Sequence, residues 1–268
     1  MVAARKLHRR SERAASGRFL VEGAQAVREA IDAVADGRVR LHELFVTADA
    51  AARHPGLVAA APRVSMITER AAAALSETVT PQGIVAVCDT VDVGLETALA
   101  GDPRLVAVLV EVSDPGNAGT VIRTADAAGA DAVLLAGNAV DPHNGKCVRA
   151  CAGSLFHLPI ATHRSVPETI IAARQAGLHI LAATANGRLD LDGALLDRPT
   201  AWLFGSEAHG LDEATLAMAD ATVRVPIYGR AESLNLATAA AVCLYASARA
   251  AHGAAPAAMR SSANPAAE

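Results

Sequence analysis

Five polar residues, spread over three short stretches, have side chains suited to holding a polar ligand. Asn117 and Arg123 stand in DPGNAGTVIRTADAAGA (114–130), Glu207 in LFGSEAHGL (203–211), and Ser233 and Asn235 in VRVPIYGRAESLNLATAAAV (223–242). An arginine brings a permanent charge and a planar fork of donors, a carboxylate accepts protons, and amides and hydroxyls both donate and accept. Each residue also has a plainer use. Asn117 can cap the helix that follows it. Arg123, six positions on, points about 120° away around a helix and can pair with Asp126 on the exposed side. Glu207 can simply face water from its loop. Ser233 or Asn235 can cap a long helix, or present its free N–H groups to a polar ligand. Spacing alone leaves both uses open.

Several familiar patterns are missing. Gly116 and Gly119 have the wrong spacing for a dinucleotide-binding GxGxxG. There is no GK[ST] of a P-loop and no GxSxG elbow, and Ser233 has no sequence-evident histidine partner.

The elements that position these loops are legible as patterns. From Leu105 onward, apolar runs LVAVLVEV, DAVLLAG, LHILAAT and AWLFGS alternate with helical stretches. Uninterrupted apolar runs suit strands covered on both faces, hence a mostly parallel sheet, whose ligands bind beyond the carboxyl ends of the strands. Gly205 closes one such run, and Pro226 and Gly229 break the chain before a helix expected from about Ser233 to Ala251. Val121, Ile122, Ala125 and Ala128 form the apolar side of the helix that carries Arg123. Residues 18–90 read as a separate small α/β unit. Within it, FLVEGAQAVREAIDAV shows helical spacing at Val27, Ala30, Ile31 and Val34. LHELFVT, RVSMIT and QGIVAVCDT read as strands, and Thr68 as a helix cap. Residues 91–103 read as a linker with a short helical middle, 104–252 as the main domain, and 253–268 as a low-complexity, disordered tail.

Composition narrows the class. The 268 residues carry a formal net charge of −4, so there is no global attraction to nucleic acid. The charge is uneven, however: Arg5, Lys6, Arg9, Arg10, Arg13 and Arg18 face only Glu12 in the first twenty residues. Residues 1–17 therefore form a basic arm able to contact phosphates, or a solvated N-terminus. The four cysteines, Cys88, Cys147, Cys151 and Cys243, form no CxxC pair and suit reduced, buried thiols in a cytoplasmic protein. No ligand cluster argues for a metal, no run is long enough to span a membrane, and no leader pattern opens the chain.

Taken together, the three stretches resemble the three motifs of the SpoU (TrmH-type) RNA 2′-O-ribose methyltransferases, in order and spacing. DPHNGKCVRACAGSLFHLPI fits the same family, and GRFLVEGAQAVREAI and LSETVTPQGIVAV resemble its L30e-like substrate-binding domain. The resemblance covers about residues 18–250. It implies an α/β catalytic domain with a deep trefoil knot, S-adenosylmethionine as methyl donor, RNA (rRNA before tRNA) as substrate, and a homodimer using the long C-terminal helix with its Ala239, Val242 and Leu244. It assigns Gly205, Val225, Ile227, Leu234 and Leu236 to donor binding. It gives Arg123 the activation of the ribose hydroxyl, with Asn117, Glu207, Ser233 and Asn235 as the other polar positions. Arg9, Arg10, Arg13 and Arg18 would grip RNA. A non-catalytic RNA-binding or assembly factor on the same fold is the competing reading.

Overall fold

The computed structural model describes residues 1–253; the expected tail lies outside the described residues apart from Gly253. The N-terminal unit runs α1 (Val2–Lys6), α2 (Arg10–Ser16), β1 (Arg18–Glu22), α3 (Ala24–Ala35), β2 (Leu41–Val46), α4 (Ala48–Arg53), α5 (Pro55–Ala60), β3 (Val64–Met66), α6 (Glu69–Leu75) and β4 (Ile84–Asp89). Its sheet has the order β1-β4-β2-β3. Thr68 caps α6, its side chain accepting from the Ala71 N–H.

The second unit continues with β5 (Asp92–Val93), α7 (Leu95–Ala98), β6 (Leu105–Val110), α8 (Pro115–Ala127), β7 (Ala132–Ala136), α9 (Gly145–Cys151), β8 (Ile160–His163) and α10 (Val166–Gln175). Then come β9 (His179–Ala183), β10 (Leu189–Asp190), β11 (Thr200–Phe204), α11 (Glu213–Met218), β12 (Ala221–Arg224) and α12 (Leu236–Gly253). The sheet is eight-stranded, ordered β10-β12-β9-β11-β6-β7-β8-β5. Every pairing in it is parallel.

The uninterrupted apolar runs have the cause expected of them. All residues of β6, β7 and β11 are buried. Ala107, Leu109, Val133, Leu135, Trp202 and Phe204 pack on one face with residues of α8, α9 and α12. Val106, Val108, Leu134, Ala201 and Leu203 pack on the other, toward α7 and α10. Trp202 is fully buried, and its indole N–H donates to the Ser247 hydroxyl at 2.9 Å, tying α12 to the central strand.

Three expectations need correction. FLVE is not the start of a helix but strand β1, pairing antiparallel with β4; helix α3 starts only after Gly23. Residues 91–103 are not a free linker, since Asp92–Val93 pairs with β8 as the sheet's last strand. The basic arm is folded: Ala4 of α1 and Leu7 just after it pack against Leu20, Phe45, Leu75 and Val85, and α2 follows. In it, Arg13 is only 4% exposed, and its guanidinium serves Asp141 (2.6 and 2.8 Å) and the Leu7 and His8 carbonyls. That leaves Arg13 no donor face for RNA. Burial alone would raise the Asp141 carboxyl, but hydrogen bonds from His143 and Arg13 outweigh it and hold the group well below the usual carboxylate range. Arg9, Arg10 and Arg18 remain exposed.

The two units share a core. Phe19 of β1 packs its ring 4.6 Å from that of His143 and 6.2 Å from Phe156, both in the second unit. Arg149 of α9 donates to Glu22 of β1 at 3.1 Å. All four cysteines are free and buried. Burial pushes the Cys88 and Cys243 thiols up to about 12, Cys88 with help from Asp89. Cys147 and Cys151 are also raised by burial.

Candidate active site

A cavity of about 520 Å³ opens at the carboxyl ends of β9, β11 and β12. Its walls include Gly205, Val225, Ile227, Leu234 and Leu236, the five positions expected to hold a donor, together with Glu207, Ser233 and Asn235. The sequence reading missed Ala183, Thr184 and Ala185 at the end of β9, and Ala239 one turn into α12. The run LHILAAT was a strand signal, and the rule that ligands sit beyond strand ends would have reached them.

Gly205 is needed for a reason beyond ligand approach. The chain turns back sharply, with Ser206 and Gly210 exchanging backbone hydrogen bonds at 3.2 and 2.9 Å. A Cβ on Gly205 would stand 2.2 Å from the Gly210 carbonyl carbon. Glycine thus lets the loop fold flat on its own strand, and Glu207 is presented from its tip. On the opposite wall, Asn235 caps α12: its side-chain oxygen accepts from the Ala237 and Thr238 N–H groups at 2.9 and 3.3 Å. The helix accordingly starts at Leu236, not at Ser233. Ser233 is exposed on the cavity wall.

Asn117 links the two walls. Its amide NH₂ donates to Glu207 Oε1 at 2.9 Å, and its carbonyl accepts from Asn235 Nδ2 at 3.1 Å. It is not the cap of α8. That role belongs to Asp114, whose carboxylate accepts from the Asn117 N–H at 2.8 Å. A hydrogen bond from Lys146, then one from the Asn117 backbone, hold the Asp114 carboxyl below its ordinary range. Glu207 also accepts from the Ser113 N–H at 3.4 Å. Residues ninety and more positions apart therefore meet in one polar line along the rim.

Arg123 does not line the cavity within the chain. It is exposed on α8, while Val121, Ile122, Ala125 and Ala128 are buried as expected. It does not pair with Asp126, whose carboxylate instead meets His157 Nδ1 at 2.7 Å. Arg123 makes no ion pair or side-chain hydrogen bond among the described residues, so its charge is available.

A parallel α/β sheet with a cavity of mixed polarity at its carboxyl edge is the architecture of a small-molecule-binding α/β protein. Comparison with known proteins gives the family. Residues 104–245 match the SpoU rRNA Methylase family, and residues 2–86 match the MRM3-like substrate binding domain. The chain belongs to the SpoU rRNA methylase family. It is 37% identical over 241 residues to the 23S rRNA (guanosine(2553)-2′-O)-methyltransferase RlmP of Bacillus subtilis, covering 90% of this chain and 92% of that one. It is 31% identical to the 23S rRNA (uridine(2479)-2′-O)-methyltransferase of Streptomyces viridochromogenes, covering 91% and 86%. Among solved structures it resembles the SpoU methyltransferase AviRb from the same organism in complex with AdoMet, with a TM-score of 0.81, 30% identity, and 92% and 96% of the two chains covered. An AdoMet-bound rRNA methyltransferase from Sinorhizobium meliloti gives 0.80 at 32% identity, covering 92% and 93%. The substrate-domain match begins at residue 2, in keeping with α1 and α2 being built into that unit.

Proposed function

We propose that the protein transfers a methyl group from S-adenosylmethionine to a ribose 2′-hydroxyl of 23S rRNA. The observation that carries this reading is the convergence of three sequence-distant loops on one cavity. Its volume lies within the range of about 300–1,000 Å³ usual for ligand pockets of this kind, and Val225, Ile227, Leu234 and Leu236 give it apolar walls. Those residues, with the Gly205 backbone, suit a donor with apolar and hydrogen-bonding parts. When bound, the donor supplies an electrophilic methyl group on a positively charged sulfur.

The chain's own residues supply the rest. A ribose hydroxyl is a poor nucleophile at neutral pH, so the site must stabilise developing alkoxide charge or remove its proton. The Asn117–Glu207–Asn235 line and Ser233 present donors and acceptors for a sugar at the cavity mouth. Arg123 orients and electrostatically activates the hydroxyl. Arginine stays protonated across the physiological range, which suits it to stabilising charge.

We infer that the chain works as a homodimer, and that its packing brings an Arg123 to each cavity. Val242 and Tyr245, 38% and 46% exposed on α12, support that face as the contact. Leu244, expected to share it, is buried within the chain. The proposed fold includes a trefoil knot in the C-terminal part of the chain, which the family resemblance supports, and an rRNA substrate supports a cytoplasmic location. The N-terminal substrate-binding unit favours rRNA over tRNA.

The test is transfer of a radiolabelled methyl group to 23S rRNA from cells lacking the gene, followed by mapping of 2′-O-methylation. Arg123→Ala should keep donor affinity by calorimetry and lose about 10²-fold or more in transfer rate. Undiminished turnover would remove Arg123 from the mechanism, and no methylated ribose at all would end the functional reading.

A further inference from the structure

Two crevices meet where α2 crosses the carboxyl edge of the catalytic sheet, on the far side of β6 from the donor cavity. One, of about 230 Å³, is lined by Arg10, Gly137, Val140, Thr162, His163 and Arg164. The other, of about 260 Å³, is lined by Arg13, Thr90, Asp92, Asp141 and His143, and shares Arg10 and Thr162 with the first. They form one groove between the two units.

The charge in this groove is sorted. At the inner end the acidic groups are answered: Arg13 holds Asp141 at 2.6 Å, and His143 lies 3.8 Å from Asp92. At the outer end Glu168 sits 3.5 Å from His163. Glu111 is held in the left-handed region at φ 53, with its side chain over Gly137. Arg10, Arg164 and Glu111 are all exposed and make no ion pair or side-chain hydrogen bond among the described residues, so the unpaired charge here is two cations against one carboxylate. Arg10 belongs to the substrate-binding unit and Arg164 follows a catalytic strand. Two unpaired guanidinium groups on opposite units, facing one crevice, are placed to share an anion.

The chemistry favours a phosphate over a base. A base would need an aromatic platform. All four phenylalanines and the single tryptophan are buried, and neither tyrosine lines this groove. What the groove offers is charge, the Thr162 hydroxyl and two rings already engaged, His143 packed on Phe19 and His163 held by Glu168 and the Ser165 carbonyl.

We propose that this crevice seats a backbone phosphate of the RNA substrate between Arg10 and Arg164. The inference rests on the RNA reading above and adds where the substrate crosses from one unit to the other. It also replaces the picture of a loose basic arm, since Arg10 acts from a folded helix and needs a residue of the catalytic unit beside it.

The test uses the full chain, its Arg10→Ala and Arg164→Ala variants and the double variant, with in-vitro-transcribed 23S rRNA. Binding is measured against salt concentration. Each substitution should weaken binding about 3–10-fold at about 0.15 M salt, and the double variant, which gives up the one shared phosphate, should lower the slope of log affinity on log salt by about 0.7–0.9. The apparent RNA KM should rise by more than kcat falls. Unchanged S-adenosylmethionine affinity confirms that the variants are folded. Inorganic phosphate is titrated in parallel. A double variant that binds RNA with wild-type affinity and slope overturns the proposal. So does one that loses only inorganic phosphate, which would make the crevice a free-anion site. Wild-type protein that neither binds nor methylates the RNA would instead overturn the functional reading, and this inference with it.

Discussion

Asn117 has one arrangement that satisfies its neighbours. Glu207, taken as the carboxylate, can only accept, so the Asn117 NH₂ must point to it and the carbonyl must face Asn235. Asn235 is fixed in turn, because its oxygen is engaged by two N–H groups of α12. Each amide is thus oriented by its own partner, and the two orientations set Asn235 Nδ2 against the Asn117 carbonyl. A double-mutant cycle of Asn117→Ala and Asn235→Ala, read by urea unfolding, should show coupling of about 0.5–1 kcal/mol, small because the groups are partly solvated. Strict additivity would mean the two amides act alone. The residue types of the site were legible in the sequence, and the use left open for Asn117 is decided by its neighbours. Asp-Pro at 114–115 is a cap followed by a first-turn proline, which already assigns the cap to Asp114 and frees Asn117 for the rim.

At the scale of elements, the contact of α8 with α9 decides where Asn117 and Arg123 stand. The two helices approach closely at Gly119, where a Cβ would lie 2.4 Å from the Cys147 carbonyl oxygen and 2.7 Å from Ala150 Cβ. On an exposed helix, glycine to alanine is favourable by about 1 kcal/mol. Here overpacking of about 1–3 kcal/mol should reverse the sign. Gly119→Ala is therefore expected to lower the thermal midpoint and to weaken methyl transfer by moving α8; a rise in midpoint would show that the helices can part freely. The long buried strands were readable because each is apolar throughout. The short ones were not: β5 and β10 have two residues each, too few for any periodicity. β1 was hidden because FLVE runs straight into an amphipathic helix, with only Gly23 to mark the change.

For the molecule as a whole, the joint between the units was the least legible feature, because its partners lie far apart in the chain. Arg13 and Asp141 are separated by 128 positions, as are Glu29 and His157. His157 bridges the units, with Nδ1 2.7 Å from Asp126 of α8 and Nε2 3.0 Å from Glu29 of α3. Burial opposes its charging, but hydrogen bonds with Asp126 and Glu29 outweigh that and raise its pKa above 6.5. A group raised on folding stabilises the native state fully below its unfolded pKa, and that contribution is lost as pH rises through the folded value. The midpoint of the wild type should therefore exceed that of His157→Gln most clearly near pH 6, with the gap narrowing as pH rises through the raised folded pKa. A gap that is constant or widens with pH would sink this assignment.

The four interior thiols have a practical outcome. With every cysteine enclosed and its ionisation suppressed, the native chain presents no reactive sulfur to maleimides or mild oxidants. A single cysteine introduced on the surface would be the one position a fluorophore meets. Spectroscopic distances across the bound nucleic acid could then be read without first stripping the protein of its own sulfhydryls.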